Sequence, residues 1–96
     1  MKYAESHITV EPVFDSRLER MKSVVSTYGF KVADLLMKKR GEDAPTRSAY
    51  DTFCTARGKD AEELTERTAK AVDALQKEGY KVWRYKVEAV LVDVRM

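Results

Sequence analysis

Apolar and polar residues alternate from Tyr3 to Val13, with Ile8 and Val10 on one side of the chain and Glu5, His7, Thr9 and Glu11 on the other. A period of two is that of a half-buried strand. Pro12 has no N–H to give to a ladder and ends the pairing. Ser16 and Glu19 then stand at the spacing of a capping box. Leu18, Met21, Val24, Val25 and Tyr28 follow at helical spacing, which predicts a helix with a single apolar stripe. Gly29 falls just past its end, where a left-handed residue commonly stops a helix.

The second half repeats this order. Phe30 to Met37 reads as a strand, with Phe30, Val32 and Leu36 in one phase and Ala33, Leu35 and Met37 in the other, so its facing stays open. Lys38 to Arg47 mixes charges with Gly41 and Pro45 without a period and reads as an exposed loop. Ser48 to Arg57 is rich in β-favouring residues and predicts a third strand, followed by the turn Gly58-Lys59-Asp60. Asp60 and Glu63 repeat the capping logic. Leu64, Thr68, Ala71, Val72 and Leu75 mark the buried stripe of a second helix that Gly79 stops. A long last strand runs from about Lys81 to Val94. Trp83, Tyr85, Val87, Ala89 and Leu91 share one phase, which places the two aromatics in the core, and Arg84, Lys86, Glu88, Val90 and Val92 share the other. The two helices end alike, in Tyr28-Gly29-Phe30-Lys31-Val32 and Glu78-Gly79-Tyr80-Lys81-Val82, a faint internal repeat.

Two strand-helix-strand halves pack most simply with both helices on one face of a four-stranded antiparallel sheet. Right-handed crossovers put the first and third strands in the centre and the fourth beside the first. The expected fold is therefore α+β, a ferredoxin-like βαββαβ sandwich, in one domain spanning residues 1–96.

Composition narrows the function classes. The 18 basic and 16 acidic residues are interspersed and leave a net charge of +2, too little for a global field that would draw the chain to nucleic acid or membrane. No run approaches the roughly 20 apolar residues that span a bilayer, the N-terminal residues lack a signal core, and Cys54 is the only cysteine. A soluble cytoplasmic protein is expected, without disulfide, cysteine-based zinc cluster or cofactor motif.

The candidate chemistry lies on the sheet face opposite the helices. With Ile8, Val10, Val87 and Leu91 toward the helices, that face carries His7 and Thr9 beside Arg84, Lys86 and Glu88. The third strand adds Asp51, Phe53, Thr55 and Arg57 if Thr52, Cys54 and Ala56 face inward. Arg57, Arg84 and Lys86, with Thr55, suit a phosphate-bearing small molecule or a carboxylate. No metal is expected, because His7 with Glu5 and Glu11 lacks a second ligand cluster. RNA stacking would need paired aromatics on the central strands, and Tyr50 and Phe53 fall on opposite faces. Cys54 in the inward phase is an inert thiol.

The tract His7-Ile8-Thr9-Val10 resembles the H-x-T strand motif of the 2H phosphoesterases, whose lobes are similar in strand and helix order. The resemblance implies His7 as general acid or base at a phosphodiester, with the Thr9 hydroxyl holding its oxygens. Members of that family use two such tracts, whereas the second half here offers Thr52-Phe53-Cys54-Thr55 without histidine. A complete catalytic site would then need two chains. The competing expectation is a non-enzymatic binding or assembly module, a homodimer formed through the sheet face or the last strand, since a long edge strand that is apolar on both faces near its end favours association.

Overall fold

The computed structural model describes residues 2–33 and 51–91. Its elements follow the order β1 (Lys2–Val10), α1 (Asp15–Ser26), β2 (Lys31–Val32), β3 (Thr52–Gly58), α2 (Ala61–Lys77) and β4 (Val82–Leu91). The strands make one open antiparallel sheet in the order β2-β3-β1-β4, and the fold is ferredoxin-like, with β1 and β3 central as expected. The expected loop from Lys38 to Arg47, the second strand beyond Ala33, the start of the third strand from Ser48 to Tyr50 and the end of the fourth from Val92 to Val94 lie outside the described residues.

Alternation along β1 and β3 decides which face is covered. Ala4, Ser6, Ile8 and Val10 are fully buried, as are Thr52 and Cys54, with Ala56 nearly so. These residues meet Met21 and Val25 of α1 and Leu64, Thr68, Ala71, Val72 and Leu75 of α2, the same five α2 residues that the helical spacing marks. The inward phase of β1 and β3 holds mostly small side chains, which lets the helices approach the sheet closely. Two hydroxyls are sealed into this layer. Thr68 Oγ1 donates to the Leu64 carbonyl at 2.7 Å, which uses its one proton, so Ser6 Oγ is the donor in the 2.6 Å bond between Ser6 and Thr68.

The repeat at the helix ends has a structural cause. Gly29 and Gly79 both take positive φ, 78° and 91°. At each the glycine N–H donates to the carbonyl three residues back, at 3.0 Å to Ser26 and to Gln76. The following aromatic N–H donates five residues back, at 3.0 Å from Phe30 to Val25 and from Tyr80 to Leu75. This is the Schellman arrangement, and its usual apolar contact is supplied by Phe30 and Tyr80, both buried.

Two local expectations are corrected. Asp60 caps α2 by accepting from the Glu63 N–H at 2.8 Å, but Ser16 and Glu19 form no capping box. Helix α1 starts at Asp15, two residues earlier than a Ser16 cap would set it, with an extended Phe14 in the cap position and Asp15 itself at φ 54°, and Glu19 instead accepts from Lys22 Nζ at 3.2 Å. Trp83 and Tyr85 are not core residues but 39% and 55% exposed. A β-bulge causes part of this: Thr9 pairs with Arg84 and Val10 with Val82, leaving Trp83 as the extra residue. Tyr85 pairs with Ile8, yet β4 is an edge strand that, among the described residues, has a neighbouring strand on one flank only.

Candidate functional site

The uncovered face is built in three rows by the strand registers. Lys31, Thr55, His7 and Lys86 form a row across all four strands. On one side of it Phe53, Thr9 and Arg84 are directly opposite one another, and on the other Arg57, Glu5 and Glu88 are. Every residue that the sequence nominates, His7, Thr9, Thr55, Arg57, Arg84 and Lys86, therefore lies on this face. Central β1 carries His7 and Thr9, and the flanking strands carry the cations.

These residues divide between two shallow hollows. His7, Thr9, Phe53, Arg84, Tyr85 and Lys86 line one of about 440 Å³. Glu5, Lys31, Thr55 and Arg57, with Gly29 and Ala56, line another of about 450 Å³. Arg84 and Lys86 thus share a hollow with the histidine, while Thr55 and Arg57 belong to its neighbour. Thr55 lies across from His7 and Phe53 across from Thr9 in the register.

Between the hollows runs an ion network. His7 Nε2 is 3.5 Å from Glu5 Oε2 and 3.5 Å from Glu88 Oε1, and Glu5 Oε1 is 3.4 Å from Arg57 Nε. The Arg57 guanidinium lies 5.0 Å from the centre of the Tyr3 ring, within the range of a cation–π contact. Glu5 and Glu88 are direct cross-strand partners of like charge, an unfavourable pairing that Arg57 relieves on the Glu5 side. One ligand atom each from Glu5, His7 and Glu88 lie within 4.8 Å of one another. Arg57 answers the charge of Glu5, while Glu88 contacts His7 and Lys86 lies opposite His7 in the register. Glu11, the other carboxylate weighed beside His7, is engaged elsewhere: its Oε2 accepts from the Lys81 N–H at 2.9 Å and from Arg17 at 3.3 Å, and the Lys81 N–H above all holds its carboxyl below the usual range.

Two contributors escape sequence reasoning. Lys31 joins the central row because β2 pairs with β3 there, which the open phase of the second strand hides. Arg67 ties the site's borders together: Nη2 donates to the Arg57 carbonyl at 2.8 Å, Nη1 to the Tyr28 carbonyl at 3.2 Å, and Nε to Glu63 at 3.0 Å. A polar residue within a helical pattern gives no hint of such distant carbonyls.

No protein-family model matches the chain, and a comparison with curated proteins finds no match either. No helix among the described residues is long and apolar enough to cross a membrane.

Proposed function

We propose that the chain is a small self-associating binding module. The observation that carries this reading is β4: a ten-residue strand at the edge of the sheet, with the aromatics Trp83 and Tyr85 exposed along it. An unpaired edge offers a row of backbone donors and acceptors, and exposed Trp and Tyr are the side chains most enriched where proteins meet. Sedimentation equilibrium of the full chain over the micromolar range tests it. A dimer is expected, and a monomer at every accessible concentration overturns the reading.

A second reading concerns the ligand. The hollow that combines His7 and Thr9 with Arg84 and Lys86 supports binding of a phosphate-bearing small molecule, with Phe53 as an apolar wall. A phosphoesterase-like hydrolysis at His7 and Thr9 is the catalytic version of the same reading, and its missing element is the second H-x-T histidine, since His7 is the one histidine in the sequence. Titration with inorganic phosphate and with nucleoside monophosphates, followed at the His7 ring and the β1 and β4 amides, separates the versions. Binding without turnover of a phosphodiester supports a binding site, and turnover abolished by His7→Ala supports the hydrolase. An unresponsive His7 and β4 sinks both. Because His7 faces away from the helices, His7→Ala should cost no more than about 0.5 kcal/mol of stability.

A further inference from the structure

Symmetry restricts how β4 can pair with a second copy. An antiparallel strand pair related by a two-fold axis places one residue on that axis, opposite itself, and each neighbour opposite its symmetric counterpart. A centre at Arg84, Lys86 or Glu88 sets that residue's charge against its own copy, and a centre at Tyr85 sets Arg84 against Lys86. Like charges directly opposite destabilise a sheet. A centre at Ala89 leaves Glu88 against Val90. A centre at Val87 sets Lys86 against Glu88 twice, Val87 against itself, Tyr85 against Ala89 and Arg84 against Val90. A centre at Lys86 also brings Arg84 against Glu88, but only the centre at Val87 pairs cation with anion without setting any like charges opposite.

The charges on β4 are also poorly answered within one copy. Among the described residues Lys86 has no carboxylate partner and lies opposite His7, while Glu88 lies opposite Glu5 and reaches only His7. On these grounds, and resting on the self-association reading above, we propose that two copies join through β4, antiparallel and centred on Val87. Lys86 of each copy then sits across from Glu88 of the other. The two four-stranded sheets become continuous, with all helices on one side and both polar faces on the other. The two His7 positions stand three strand spacings apart across the sheet and two residues apart along it, about 16 Å, so each hollow works alone and no phosphodiester is shared between them.

Charge exchange tests this. The full chain, Lys86→Glu, Glu88→Lys and the double variant are compared by sedimentation equilibrium at several salt concentrations, with amide spectra confirming the fold of each. Each single exchange puts like charges opposite at two symmetric positions and should weaken the dimer about tenfold, and the double exchange should restore it. A double variant as weak as the single ones, or a dimer indifferent to all three changes, overturns the Val87-centred pairing while leaving self-association intact. A monomeric wild type overturns both.

Discussion

The Ser6–Thr68 hydroxyl pair gives a sharp test of which way β1 faces, and the whole candidate site depends on that facing. Replacing Thr68 by Val keeps the volume but removes the only acceptor of the Ser6 proton, in a place where Ser6 is fully buried. A stranded buried donor costs about 1–3 kcal/mol. Replacing Ser6 by Ala is milder, about 0.5–1.5 kcal/mol, since Thr68 keeps its 2.7 Å bond to Leu64 and loses only an incoming one. The double variant removes both hydroxyls and should be more stable than Thr68→Val alone, so the two costs do not add. For a chain of this size 1 kcal/mol moves the thermal midpoint by roughly 4–8 °C, well within measurement. Urea unfolding of all four proteins at constant slope gives the cycle. Additive costs, or a Thr68→Val variant no worse than Ser6→Ala, would refute the bonding order and with it the inward position of Ser6.

Three further outcomes follow from the structure. Gly29→Ala should destabilise more than Gly79→Ala in thermal melts: both positions carry the left-handed cost of about 1–2 kcal/mol, but only at Gly29 would a Cβ also meet Arg67 Nη1, at 2.7 Å. Glu11 has a carboxyl held below its ordinary 4.5, so it stabilises the folded state at neutral pH and loses that contribution as pH falls below about 4.5; the stability gap between wild type and Glu11→Gln, from urea curves at pH 7 down to 3, should close on acidification, and a constant gap would refute the assignment. Burial pushes the Cys54 thiol up from 9.0 to about 12, so the unfolded chain sheds this proton first. Native labelling by a thiol reagent should be slow, and stability relative to Cys54→Ala should fall as pH rises from 9 toward 12; rapid native labelling would mean that β3 faces the other way.

Periodicity was sufficient wherever a segment buries one face against a large neighbour. The stripe Leu64, Thr68, Ala71, Val72 and Leu75 and the small inward residues of β3 are legible because a helix or central strand has one covered side and its sequence says which. The start of α1 was not legible, since Ser16 and Glu19 have the composition of a cap but the backbone turns at Asp15, before they could act as one. Trp83 and Tyr85 misled for a related reason: hydrophobicity and phase indicate burial only where something lies above the strand, and an edge position with a bulge supplies neither cover nor constant phase. The site fared in the same way. His7, Thr9, Arg84 and Lys86 could be placed on one face by counting, but the split into two hollows and the Glu88 contact with His7 depend on cross-strand register, which local sequence does not encode.

The bulge at Trp83 acts on β4 as an inserted letter acts on a reading frame. Were the pairing of Val10 with Val82 carried on without it, Ile8 would meet Arg84, Ser6 would meet Lys86 and Ala4 would meet Glu88, driving three charges into the apolar layer beneath the helices. Looping out one extra residue keeps those charges on the open side. What matters at this point is therefore that the extra residue stays looped out: regular pairing with Trp83 retained would turn the outer strand inside out, whereas losing the residue would leave Thr9 opposite Arg84 and every side chain beyond it on its present face.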